Sequence, residues 1–114
     1  MAKRHDGLLV SSDGFLSNRR VQIVTLAAHY WLPTIHSLRE EAEAGGLMSY
    51  GPNRADEYRQ AGIYAGRILK GEKPADLPVT RATKFEFVIN LQTARTLGIE
   101  IPPTLLAIAD EVIE

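Results

Sequence analysis

The sequence predicts a three-layer α/β/α domain built on a short, mostly parallel sheet. Four short apolar runs, at residues 7–10, 32–35, 47–50 and 84–90, alternate with stretches of helical spacing. Strand–helix alternation of this kind is the pattern of an α/β unit, with right-handed crossovers carrying helices to the faces of the sheet. The runs are bounded by turn residues, and the chain of 114 residues, 45% hydrophobic and 24% charged, suffices for one globular domain with a modest core.

Each element follows in order. Gly7-Leu8-Leu9-Val10 is uninterrupted and ends at Ser11-Ser12-Asp13-Gly14, which predicts a strand buried on both faces. Ser17 is placed to cap a helix ending near Tyr30, with Val21, Val24, Ala28 and Trp31 along one side. Pro33 disfavours helix in the residue before it. A second strand is expected over residues 32–35. Ser37 with Glu40 three residues on predicts a capping box opening a short helix through Glu43. The Gly45-Gly46 pair stops it.

Leu47 to Tyr50 reads as the third strand, broken by Gly51-Pro52. Asn53 is placed to cap the longest helix, running to about Lys70. Asp56 and Glu57 in its first turn and Arg67 and Lys70 in its last suit the helix dipole. Its apolar stripe is Tyr58, Ala61, Gly62, Ala65, Ile68 and Leu69, and Gly71 ends it. A proline-punctuated connector spans residues 72–79. Residues 84–90 alternate Phe85, Phe87 and Ile89 against Lys84, Glu86 and Asn90, predicting a half-buried strand at a sheet edge. Two helices are expected after it, at residues 91–97 and 103–112, the second opened by Pro103.

Composition narrows the function. A formal charge of -1 with dispersed basic residues, including the pairs Lys3-Arg4 and Arg19-Arg20, argues against a nucleic-acid partner. The absence of cysteine excludes disulfides, thiolate catalysis and cysteine-ligated zinc. The histidines His5, His29 and His36 have no metal-ligand spacing, so no metal or other cofactor is expected. No elbow motif surrounds Ser11 and Ser12, and Ser11-Ser12-Asp13-Gly14 reads as a strand-to-helix turn rather than a nucleophile with its acid. Glu40, Glu41 and Glu43 read as a solvated helix surface. No enzyme activity is expected.

In parallel sheets, ligands sit at the carboxyl ends of the strands. Here those ends are Ser11-Ser12-Asp13, His36-Ser37 and Ser49-Tyr50-Gly51-Pro52-Asn53, all polar. The Asn-capped helix start adds unpaired N–H groups suited to an anion or carboxylate. It is equally an ordinary well-made turn.

Three stretches extend this reading: residues 45–53 (Gly-Gly-Leu-Met-Ser-Tyr-Gly-Pro-Asn), residues 68–79 (Ile-Leu-Lys-Gly-Glu-Lys-Pro-Ala-Asp-Leu-Pro-Val) and residues 83–90 (Thr-Lys-Phe-Glu-Phe-Val-Ile-Asn). With Ala94 to Gly98, Ile101-Pro102-Pro103 and Ala109 to Ile113, they resemble the carboxyl-terminal part of ABC transporter substrate-binding proteins of the tryptophan and tyrosine type. The resemblance implies part of a type 1 periplasmic-binding-protein-like lobe and a small organic solute such as an amino acid. It also implies an ABC permease as partner of the full-length protein and a periplasmic location. Residues 1–52 then correspond to the second half of the carboxyl-terminal lobe. Residues 53–78 are the helix and connector resting on an amino-terminal lobe, and residues 79–114 are the return strand and terminal helices. Residues 50–52 and 77–83 become hinge crossings. Carried over by position, Ser12, Asp13, His36, Ser37, Ser49, Tyr50 and Asn53 border the ligand cleft.

The sequence departs from that family pattern in starting within the second lobe, with no signal sequence ahead of it, so a truncated protein that stays cytoplasmic as written is expected. The stripe of the long helix would then be exposed, which favours a homodimer covering it. The competing reading is a remnant flavodoxin-like α/β module that serves only protein interaction or oligomerisation.

Overall fold

The computed structural model describes residues 6–81 and 84–114. The expectations for Lys3, Arg4, His5 and Thr83 lie outside the described residues. Within them the chain divides into two compact units, one of residues 6–51 with 86–114 and one of residues 52–81 with 84–85.

The larger unit is organised by a five-stranded sheet in the order β1 (Leu8–Leu9), β2 (Thr34–His36), β3 (Met48–Pro52), β4 (Phe85–Asn90) and β5 (Glu111–Ile113). Neighbours β1–β2, β2–β3 and β4–β5 are parallel. Between β3 and β4 the sense reverses: the Asn90 amide donates to the Leu47 carbonyl (2.8 Å) and the Asn53 amide to the Lys84 carbonyl (2.9 Å), so one strand climbs as the other descends. Helices α1 (Gly14–Asn18), α2 (Arg20–His29) and α3 (Arg39–Glu43) belong to the crossovers among β1, β2 and β3, whereas α5 (Leu91–Leu97) and α6 (Pro103–Ile108) join β4 to β5. Right-handed crossovers, the rule for parallel strands, put the first group on one face. Because β4 and β5 run the other way, the same handedness puts α5 and α6 on the opposite face. The expected three layers result.

On the α5–α6 face, Leu47, Ile89, Ala94 and Ile101 form a buried cluster, with Phe87, Leu91 and Leu105 packed against it. Both Val88 and Ile89 are fully buried. This corrects the expectation of an edge strand: β4 is interior and covered on both faces, which is why apolar Val88 interrupts its alternation. The edge is instead β1, whose Leu9 is 76% exposed, against the expectation of a strand buried on both faces. Only Val10, just past it, enters the core.

Three further expectations are corrected. The helix foreseen between Ser17 and Tyr30 is two helices, and Asp13 caps the first, its carboxylate accepting from the Phe15 and Leu16 amides at 3.0 and 3.3 Å. Asp13 stands one residue before the first helical residue, where its short carboxylate reaches the free amides, while Ser17 is already inside the helix. Of the apolar stripe expected on α2, only Val24 is buried; Val21 and Trp31 are exposed. Finally, the helix expected over residues 103–112 stops at Ile108, and β5 follows, adding a strand beside β4. The Asp110 carboxylate and amide join the Phe87 amide and carbonyl at 2.7 and 2.8 Å, so the chain is drawn onto the open edge of β4.

Asn90 ties the layers together. Its carbonyl oxygen accepts from the Thr93 amide (3.1 Å), capping α5, and its amide nitrogen donates to the Ala42 carbonyl at the end of α3 (2.9 Å). Replacing it with alanine removes the cap and orphans a buried carbonyl. Asn90→Ala should therefore lower unfolding free energy by about 2–3 kcal/mol in urea denaturation, the combination of a lost cap and an unsatisfied acceptor. A loss below about 0.5 kcal/mol would show that the cross-layer bond contributes nothing.

Candidate functional site

Parallel pairing of β1, β2 and β3 brings their carboxyl ends side by side, and with them most of the residues the sequence singled out. Ser12 and Asp13 are exposed after β1, with the Asp13 carboxylate committed to the α1 cap. His36 and Ser49 are register partners across β2 and β3 and are both buried. Tyr50 follows, 58% exposed, its ring edge-on to Phe87 with centroids 6.3 Å apart. These are five of the seven predicted positions; Ser37 is the sixth.

Ser37 does not cap α3, contrary to expectation. Leu38 holds the cap position, without a side-chain cap bond. The Ser37 hydroxyl is buried and has no hydrogen-bond partner among the described residues. Its carbonyl is crowded by Gly51: a methyl group built on Gly51 would lie 2.0 Å from that oxygen. Only glycine permits the exits of β2 and β3 to approach this closely. The pair Gly51-Pro52 does not break β3, as expected from sequence, but continues it as an extended strand to Pro52. Proline is compatible with extended backbone, and the strand needs no donor from it.

Behind this rim lies a buried polar cluster that sequence reasoning missed. Glu41, expected on a solvated surface, is 1% exposed, and His36 is 2% exposed. The Ser17 hydroxyl donates to Glu41 Oε1 (2.9 Å), and Glu41 Oε2 lies 3.3 Å from His36 Nδ1, a charge contact without hydrogen-bond alignment. His36 Nε2 meets the Thr34 hydroxyl at 2.8 Å, and that hydroxyl accepts from the Leu47 amide at 3.4 Å. Burial holds the His36 imidazole below its ordinary value, against the smaller upward pull of Glu41. The available signal was Thr34 and His36 at a spacing of two, which places them on one face of a strand. Glu41 gave none, because five residues of helix are too few to show a periodic face. The turn after it is equally tight: a methyl on Gly46 would sit 2.6 Å from the His36 ring.

The smaller unit carries the remaining predicted residue. Asn53 caps α4 (Arg54–Leu69) by accepting from the Asp56 amide at 2.9 Å. Its carboxylates and bases stand as the dipole argument requires, and Asp56 is held below its ordinary value by its hydrogen bond to Arg59, with Lys84 adding to the effect. The Tyr64 hydroxyl donates to the Pro78 carbonyl (2.6 Å), fastening the connector to the helix. No residue of α4 is buried, and Leu69 is 88% exposed.

Among the described residues no group of three or more acidic, histidine or cysteine side chains could hold a metal ion. A groove of about 440 Å³ between α2 and α5 and a hollow of about 350 Å³ beside α4 contain none of the rim residues. The rim presents hydrogen-bonding groups and an aromatic ring.

The profile of the ABC transporter substrate binding protein family matches residues 1–113. The chain belongs to that family. No curated protein sequence matches it. Among solved structures, an ABC domain in complex with L-Trp from Streptococcus pneumonia is similar at a TM-score of 0.88 and 32% identity, over 95% of this chain and 37% of that one. A conserved domain protein from Vibrio cholerae O1 biovar eltor is similar at 0.88 and 27%, over 94% and 36%. The ligand-free, open structure of CD0873, a substrate binding protein with adhesive properties from Clostridium difficile, shares the fold at 0.62 and 23% identity, over 93% and 36%. The chain thus spans little more than a third of each of these structures. For this substrate-binding family member, Gly51→Ala should cost about 1–3 kcal/mol of stability, because the Ser37 carbonyl must be pushed away. Equilibrium denaturation measures it, and a neutral substitution would mean the strand exits can part freely.

Proposed function

We propose that this chain supplies the strand-end wall of a solute cleft in an ABC transporter substrate-binding protein, and that the solute is a small organic molecule such as an amino acid. The observation that carries the reading is the buried, unpartnered Ser37 hydroxyl at the carboxyl end of β2, beside exposed Tyr50. A buried hydroxyl without a partner is costly, and a ligand group that pairs with it recovers the cost at binding. The similar L-Trp complex supports an amino acid with an apolar or aromatic side chain, for which Tyr50 offers a ring face. Ser12, Asp13 and Ser37 would meet the solute, with His36 and Ser49 supporting them from within.

In this reading the protein acts outside the cytoplasmic membrane by presenting solute to a permease rather than by catalysis. Among the described residues no helix is long and apolar enough to cross a membrane. The exposed apolar residues of α4, Tyr58, Ile63, Ile68 and Leu69, are covered by protein in the working assembly, and in this chain alone by a second copy.

Three measurements test these statements. Thermal denaturation against the twenty amino acids should give a rise for at least one, L-tryptophan foremost; ligand at 100 times Kd adds about 2.7 kcal/mol. Ser37→Ala should lower that affinity about tenfold, while leaving stability unchanged or higher by about 1 kcal/mol, since it deletes an unsatisfied hydroxyl. Weaker folding without weaker binding would place Ser37 outside the cleft. Light scattering should give a dimer mass that Leu69→Lys shifts towards monomer. A monomer at every concentration, with no amino acid raising the melting temperature, would overturn both the solute and the dimer assignments.

A further inference from the structure

We propose that Ser17, Glu41, His36 and Thr34 form an acid-sensitive latch that fastens helix α1, and with it the turn carrying Ser12 and Asp13, to the sheet. The four side chains come from three elements: Ser17 from α1, Glu41 from α3, and His36 and Thr34 from β2. With Nδ1 carrying the proton of neutral His36, the Ser17 hydroxyl donates to Glu41 Oε1, the Thr34 hydroxyl to His36 Nε2 and the Leu47 amide to the Thr34 oxygen, while Nδ1 stands 3.3 Å from Glu41 Oε2 in a charge contact without hydrogen-bond alignment.

One added proton disturbs that chain. Placed on His36 Nε2, it turns an acceptor into a donor, and the Thr34 proton loses its acceptor, a buried donor that only water can satisfy. The element that yields is α1. It has no buried residue, and among the described residues the side-chain hydrogen bond that ties it to an element beyond α2 is that of Ser17 to Glu41. By contrast Glu41 and His36 are held by their neighbours, with Gly46 packed on the imidazole.

Among the described residues the charged group against the imidazole is Glu41 of α3. The groups facing it from β2 and from the turn before β3, Thr34 and Gly46, do not titrate. The direction follows from burial. His36 binds its proton less readily folded than unfolded, so the unfolded or opened form takes up more protons below the ordinary imidazole value of 6.5. The latch is therefore intact above that value and is lost as pH falls through the lower folded value.

Two-dimensional NMR of the full chain between pH 7.5 and 4.5 tests this. The His36 imidazole should titrate with a midpoint below 6.5, and the helical Cα shifts of residues 14–18 should decline with the same midpoint while those of residues 91–97 hold. In His36→Gln the α1 shifts should no longer follow pH over that range. In Ser17→Ala, which cuts the tether and leaves the buried pair, they should be reduced at pH 7.5 and insensitive to pH; this variant serves if His36→Gln does not fold. The latch is overturned if α1 and α5 change together, if α1 tracks a carboxylate midpoint rather than the imidazole, or if Ser17→Ala behaves as the parent.

Discussion

Strand β3 is bonded to a parallel neighbour on one side and an antiparallel neighbour on the other, and the architecture follows from that reversal. A parallel neighbour requires a crossover, so α1, α2 and α3 are assigned to one face. An antiparallel partner that is itself followed by a parallel strand sends α5 and α6 to the other. The same strand delivers Tyr50 to the rim, pairs Ser49 with His36, and through Gly51 sets the distance to Ser37. Strand β3 ends, at Pro52, where the second unit begins.

Polar groups inside this sheet are satisfied in different ways. Asn90 is closed on both sides, to Thr93 and to Ala42, and acts as a rivet between layers. The Arg39 guanidinium, held protonated most strongly by Glu111 and then by Glu43, also faces Glu86, and so joins α3 to β4 and β5 at a partly exposed site where screening limits its worth. The Glu41–His36 pair is a charge contact at 3.3 Å without hydrogen-bond alignment. The Ser37 hydroxyl has no hydrogen-bond partner among the described residues. A gradient from complete to absent satisfaction thus runs from the interior of the sheet towards the carboxyl ends of β2 and β3, where a partner from outside is most useful.

The proposed function rests on that placement and on family membership, each answering a different question. The family match over residues 1–113 states what kind of protein this is. The geometry states which of its residues have hydrogen-bonding capacity left to offer. Apolar residues are exposed on α4 and at Leu9 of β1.

Local sequence determined a good deal by itself. The strand–helix alternation, the Asn53 cap, the charge order along α4 and the seven-residue helix before Gly98 needed only neighbours in sequence, because caps, dipoles and turns act within a few residues. So did the polar character of the strand ends. What only tertiary structure decided was partnership over distance. Val88 looked like an error of alternation until β5 made β4 an interior strand. Glu41 looked like a surface acid until Ser17, 24 residues away, and His36 closed around it. Gly51 looked like a strand breaker until the Ser37 carbonyl occupied the space its side chain would need. Burial and steric exclusion belong to the pair of segments that meet, and no single segment encodes which partner it will find.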